Sequence, residues 1–133
     1  MRSGILLMVL FLSFSAVLVY FSNTGTKKRL VNEQIVVLNL VEGIESGNCG
    51  LCCCSAVLLG EIGSTDAVIP LMKLFHSDCK TELRIAAAQS LAKIGDPRGL
   101  KLLEYASQYD NDPRVKRFAE IFYRASLAGL IES

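Results

Sequence analysis

Residues 83–107 read LRIAAAQSLAKIGDPRGLKLLEYAS, and this stretch decides the fold. Apolar residues recur every three or four positions in its first half, which predicts a helix with one face packed against a core. Gly95 is suited to end this helix, because glycine tolerates the left-handed conformation of a C-cap. Asp96 is suited to cap a second helix, and Pro97 to its first turn, where no amide hydrogen is needed. The stretch therefore predicts two helices joined by a tight turn.

Two other stretches repeat this pattern. Residues 51–75 read LCCCSAVLLGEIGSTDAVIPLMKLF and residues 115–127 read VKRFAEIFYRASL, so the three copies start at the evenly spaced positions Leu51, Leu83 and Val115. A period between about 20 and 50 residues is typical of solenoids. No segment shows a strand pattern, and residues 31–44 are dense enough in apolar side chains to form a helix that caps the first repeat. We expect an all-α fold, an α-solenoid of two to three helical-hairpin repeats.

The pattern SLAKIGDPRGLKLL at residues 90–103 resembles HEAT repeats of the short bacterial type, which also occur in phycobilin-lyase-like proteins. Arg84 and Lys116 fit the same pattern, whereas Cys52 stands where the family usually has arginine. The resemblance covers residues 45–128. It implies a HEAT-like solenoid and, since HEAT repeats mostly serve as protein-binding scaffolds, one or more protein partners.

The hydrophobic content of the 133-residue chain, 51%, is unevenly distributed. Residues 5–21 (ILLMVLFLSFSAVLVYF) carry no charge, and as a helix they cover roughly 26 Å of a hydrocarbon core about 30 Å thick. We therefore expect two parts. Residues 1–26 form a single N-terminal transmembrane anchor and linker, with a cleaved signal peptide as the alternative. Residues 27–133 form the HEAT-like repeat domain.

Charge around the predicted anchor indicates its orientation. Arg2 precedes it, whereas Lys27, Lys28 and Arg29 follow it, so the positive-inside rule favours a single-pass membrane protein with a cytoplasmic repeat domain. Signal cleavage would instead make the domain periplasmic or secreted. From residue 30 onward thirteen acidic residues outnumber ten basic ones, which excludes the basic surface typical of nucleic-acid binding.

Aromatic residues supply the candidates for partner binding. Phe118, Phe122 and Tyr123 in the last repeat are predicted to anchor a protein partner, with packing in the terminal repeat as the alternative. Tyr105 and Tyr109, together with Asp110, could form an exposed contact patch, but packing between repeats is favoured for the two tyrosines.

The first repeat concentrates cysteines beside the single histidine. A CxxC at residues 49–52 and an HxxC at residues 76–79 together supply four ligands of the type that zinc takes. The alternative is that Cys53 and Cys54 occupy packing positions, where cysteine behaves as a small apolar side chain. We favour packing, and predict no metal and no cofactor. The residues concerned are Cys49, Cys52, Cys53, Cys54, His76 and Cys79.

Catalytic signatures are absent from the sequence. It contains no P-loop, GxGxxG or nucleophile elbow, and helix caps or solvated faces explain Asp66, Asp96, Glu61 and Glu82. We therefore predict a membrane-anchored HEAT-repeat interaction or scaffold module that is not an enzyme. Two alternatives stay open: a lyase-like or chaperone protein that assists cofactor or chromophore attachment, implied by the resemblance alone, and a metal-stabilised interaction module.

Overall fold

The computed structural model describes residues 32–77 and 80–131. The chain divides into two compact units, Met1–Val36 and Val37–Ser133. In the first unit only residues 32–36 are described, and they are helical. The second unit contains helix α1 (residues 37–45), α2 (Cys49–Ile62), a 3-10 turn (Thr65–Ala67), α3 (Val68–His76), α4 (Thr81–Ile94), α5 (Pro97–Tyr109) and α6 (Pro113–Leu127).

The prediction of an all-α fold is confirmed, since the described ranges contain no strand. A helix is also present where residues 31–44 predicted one. No helix in these ranges is long and apolar enough to cross a membrane. The predicted anchor at residues 5–21 lies outside the described residues.

Polar side chains cap the start of three helices, and the cap at Asp96 is the one that the sequence analysis predicted. Asn48, Asp96 and Asp112 each accept a hydrogen bond from the backbone amide two residues further on, at 3.0, 2.9 and 2.8 Å. These bonds satisfy amides that have no partner within the helix. The Thr81 hydroxyl also donates to Asp112, at 2.6 Å, and this bond is the largest influence that lowers the pKa of Asp112.

Helix α4 is the centre of the second unit, because it packs against α2, α3, α5 and α6. Leu59 and Leu91, which occupy equivalent positions of the first two repeats, are both fully buried in one continuous apolar core. Gly63 and Gly95 end α2 and α4 in the left-handed conformation, at φ angles of 70° and 69°. In register, α2 and α4 are first helices of repeats, α3 and α5 are second helices, and α6 is the first helix of a third repeat.

Helices α2 and α4 approach closely at Gly60. A Cβ atom on Gly60 would lie 2.8 Å from the Cα of Ser90, closer than real contacts allow. The buried Ser90 hydroxyl hydrogen-bonds to the carbonyl oxygens of Ala56, at 2.7 Å, and Ala86, at 3.0 Å. Gly60 lies within α2 and not at its end, and the absence of a side chain there permits the crossing.

Two surface ion pairs join equivalent positions of neighbouring repeats. Lys93 pairs with Glu61, and the Arg114 guanidinium lies 3.0 Å from the Glu82 carboxylate, so each pair spans one repeat period. Exposed pairs of this kind add little stability, so the buried side chains carry the stacking.

Not every apolar residue of α3 faces the core, because Ile69 is exposed. The buried side of α3 carries Val68, Leu71, Leu74 and Phe75. Ile69 lies about 100° around the helix from Val68, so it faces solvent.

Candidate protein-binding groove

A groove lies where the C-terminal ends of α3 and α5 meet the beginning of α4. Its volume is about 200 Å³. Buried or mostly buried side chains, among them Phe75, Arg84 and Asp110, form its base, and the exposed rings of Tyr105 and Tyr109 form its rim. The lining residues are Phe75, His76, Arg84, Leu102, Tyr105, Ala106, Tyr109, Asp110 and Asn111.

Arg84 and Asp110 form a fixed ion pair in this groove. The Arg84 guanidinium contacts both carboxylate oxygens of Asp110, at 2.5 and 3.3 Å, and its Nε donates to the Phe75 carbonyl at 2.8 Å. The guanidinium also lies 5.0 Å from the centroid of the Phe75 ring, within cation–π distance. Both charged side chains are mostly buried. Because bidentate pairs are geometrically specific, this one holds α3, α4 and the loop after α5 in a single arrangement.

Tyr105 and Tyr109 form the aromatic rim of the groove. They are one turn apart on α5, 61% and 63% exposed, and their ring centroids lie 4.9 Å apart. The sequence favoured packing between repeats for both residues, and this was wrong. The core-facing stripe of α5 is carried by Leu102, Leu103 and Ala106, which leaves the tyrosines on the adjacent, uncovered side of the helix.

The size of the groove favours a protein side chain as its occupant. Sites for small molecules and cofactors usually have volumes of about 300–1,000 Å³. A volume of about 200 Å³ is smaller than that range, and His76 and the two tyrosines are among the residues that line it. Exposed tyrosines beside a rigid base are typical of surfaces that bind proteins, since they offer contact area and a hydroxyl at low cost in conformational entropy.

Comparison with known protein families identifies the repeats. A family model described as HEAT repeats matches residues 40–121. The chain belongs to the HEAT-repeat family. No curated protein matches the chain. The match spans α2 to α5, so the groove lies between second helices of adjacent HEAT repeats. The lyase-like alternative is not tested by this match and stays a hypothesis.

The predicted partner-binding residues of the third HEAT repeat differ in exposure. Phe118 is exposed, whereas Phe122 and Tyr123 are partly buried against the core. The rings of Phe118 and Phe122 lie 5.8 Å apart. Burial, together with the neighbouring Glu104 carboxylate, raises the pKa of Tyr123. Phe118 is therefore the member of this set that offers the most surface to a partner.

The cysteines of the first HEAT repeat do not share one environment. Cys52 is buried and its thiol contacts the Ile44 carbonyl at 3.2 Å, whereas Cys49 and Cys54 are exposed. The packing interpretation was wrong for Cys54, because the buried side of α2 passes through Cys52 and Ala56 instead. Within residues 32–77 and 80–131, no three His, Cys, Asp or Glu side chains are placed to bind a metal ion. Cys79, the end of the HxxC motif, lies outside those ranges.

Sequence reasoning did not single out the Arg84–Asp110 pair as part of a site. Arg84 was recognised only as a match to the repeat pattern, and Asp110 only as a neighbour of Tyr105 and Tyr109 in a contact patch that was not favoured. A signal was present, because arginine at the start of a first helix and aspartate after a second helix are both features of the repeat. Arg84 and Asp110 are far apart along the chain, so the sequence did not reveal that they meet.

Proposed function

We propose that this protein is a membrane-anchored HEAT-repeat module that binds a segment of a protein partner in the groove and has no catalytic activity. One observation carries the proposal: Tyr105 and Tyr109 are well exposed beside a rigid base formed by Arg84 and Asp110. A partner side chain inserted between the tyrosines and His76 would bury aromatic surface without moving the backbone. Such pre-organisation lowers the entropy cost of binding.

A non-enzymatic role agrees with how the carboxylates of the repeats are used. Asp110 is held by Arg84, while Asp96 and Asp112 cap helices. Each of these carboxylates therefore has a structural role. Hydrogen bonding to neighbouring groups lowers the pKa of Asp96 and Asp112, which keeps them ionised and poorly suited to general acid or base catalysis near neutral pH.

Removing the two tyrosines tests the groove. Tyr105→Ala with Tyr109→Ala is expected to abolish capture of the partner, while helical circular dichroism stays unchanged because both rings are exposed. The measurement is crosslinking and affinity purification of the full-length protein from native membranes, with quantitative mass spectrometry. Gln108→Ala, at an exposed position on the same helix, is the matched control. Proteins that the control captures and the double variant does not are partners of the groove. If both variants capture the same set of proteins, the proposed role of the groove is refuted.

Membrane anchoring by residues 5–21 is the second part of the proposal, and the uncharged run itself supports it. Leu12→Arg is expected to weaken retention in alkaline-washed membranes, since an arginine at the centre of a transmembrane helix costs about 2.5–3.5 kcal/mol on insertion. Leu12→Ala is the control. A mature chain that begins near residue 22 in N-terminal sequencing would instead indicate a signal peptide.

Exposed Cys49, which lies outside the apolar stripe of its helix, provides a test of orientation. We propose that the repeat domain is cytoplasmic, because Lys27, Lys28 and Arg29 follow the apolar segment. A membrane-impermeant thiol reagent should then modify Cys49 only after the cells are opened. Modification in intact cells would place the repeat domain outside the cytoplasmic membrane.

A further inference from the structure

The N-terminal end of the repeat stack exposes an apolar stripe on α2. Leu51, Cys54, Leu58 and Ile62 occupy one side of this helix, and all four are exposed. Leu58 is 50% exposed, whereas Ser90, its equivalent in the next repeat, is 1% exposed. Ser90 is buried because α2 covers it. Among the residues that the structure describes, no helix covers Leu58 in the same way.

The segment of the chain that carries this stripe is acidic. Between residues 37 and 72 the chain contains four acidic residues and no lysine or arginine; the four are Glu42, Glu45, Glu61 and Asp66. Glu61 pairs with Lys93, but no ion pair within the described ranges involves the other three. An occupant of the stripe therefore gains from carrying positive charge at its margin.

The C-terminal end of the same chain has the opposite charge. Helix α6 contains four basic residues, Arg114, Lys116, Arg117 and Arg124, and one acidic residue, Glu120. It also exposes Phe118 and Ile121, which lie three residues apart and therefore on one side of the helix. We call this side, with Arg117 and Arg124 at its border, the α6 flank. It combines apolar and basic side chains, whereas the α2 stripe is apolar and belongs to an acidic segment of the chain.

Glu120 and Arg124 restrict how α6 can pack against a helix of another molecule. They occupy the positions of Ala56 and Gly60 in the first repeat, and they form an ion pair at 2.8 Å. Small residues allow α4 to approach α2 closely at those positions, whereas two long charged side chains prevent another helix from doing so on α6. Docking would therefore use the α6 flank and would not extend the close-packed row of first helices.

We propose that the α2 stripe of one copy of this protein binds the α6 flank of a second copy, head to tail. Charge disfavours the symmetric arrangements: two α2 stripes would bring acidic segments together, and two α6 flanks would bring basic side chains together. A heterologous contact leaves one free end on each copy, so copies add one after another into rows or rings. In a membrane-anchored protein such rows would lie along the bilayer. The proposal uses surfaces separate from the groove.

Co-purification of two differently tagged full-length copies tests this arrangement. Capture of one tag from detergent-solubilised membranes should recover the other for the wild type, and recovery should fall at high salt because charge steers the contact. Leu58→Glu in both copies, or Phe118→Glu in both copies, should reduce recovery at least about tenfold, because either change places a carboxylate in the interface.

Mixing the two variants distinguishes head-to-tail from symmetric association. A Leu58→Glu copy with a Phe118→Glu copy retains one intact interface, so recovery should return and the complex should stop at two copies. An α2–α2 dimer would tolerate Phe118→Glu in both copies, and an α6–α6 dimer would tolerate Leu58→Glu in both. Either of these two results would overturn the proposal. A wild type that stays monomeric, or association that neither variant reduces, would also overturn it.

Matched variants distinguish loss of the interface from misfolding and from simple loss of apolar area. Leu58→Ser and Phe118→Ser remove apolar area without adding charge and should weaken recovery less than the glutamate variants. Unchanged helical circular dichroism identifies variants that fold. Tyr105→Ala with Tyr109→Ala should leave self-association intact, so that failure of the groove and failure of the head-to-tail contact give different results.

Discussion

Gly60→Val is expected to lower the free energy of unfolding by about 3 kcal/mol, since overpacking a close contact costs about 1–3 kcal/mol and here the obstacle is backbone. The added Cβ would lie 2.8 Å from the Cα and from the Cβ of Ser90. Neither atom can rotate away, so α2 and α4 must separate. Separation would also weaken the hydrogen bond from Ser90 to the Ala56 carbonyl. Urea denaturation followed by circular dichroism measures the loss.

Alanine at the same position gives the sharper test of mechanism. In an uncrowded helix, replacing glycine with alanine stabilises by about 1 kcal/mol. At Gly60 we expect the opposite sign, because even one methyl group meets the backbone of α4. Gly50→Ala is the matched control in the same helix, since its Cβ would meet only the Asn48 side chain at 3.4 Å. A stabilising effect of Gly60→Ala would show that α2 and α4 are not in close contact there.

Arg84→Ala is expected to lower the free energy of unfolding by about 2–3 kcal/mol, somewhat less than the roughly 3–5 kcal/mol for a fully buried pair, because the side chains of Arg84 and Asp110 are 20% and 8% exposed. The change leaves the Asp110 carboxylate poorly solvated and removes the donor to the Phe75 carbonyl. It also loosens the base of the groove, so we expect weaker partner binding even when the protein is folded.

A double-mutant cycle separates the pair from its surroundings. If Arg84 and Asp110 act together, the combined Arg84→Ala, Asp110→Ala variant should lose clearly less stability than the sum of the two single variants. Arg98→Ala is the control, because Arg98 pairs with Asp96 at the surface and should contribute little. Additive effects at Arg84 and Asp110 would mean that the contact does not hold the groove together.

The boundaries of the helices could be predicted because their causes are local. Asp96 caps the helix that follows it, and Gly95 ends α4, as short stretches of sequence indicated. The regular period of the repeat also predicted which positions are equivalent, and Leu59 and Leu91 are indeed both buried. The candidate site was harder to predict from the sequence, because Tyr105 and Tyr109 look like core residues when only their own helix is considered.

The sequence by itself determined that this protein is a short HEAT-like stack of helical hairpins, because caps, glycines and apolar stripes act over a few residues. Only the tertiary structure decided which side of each helix is covered. Cys54 and Ile69 are exposed, Gly60 permits a helix crossing, and Arg84 reaches Asp110. Each of these outcomes depends on the neighbouring helix, and burial is a property of the pair of surfaces that meet.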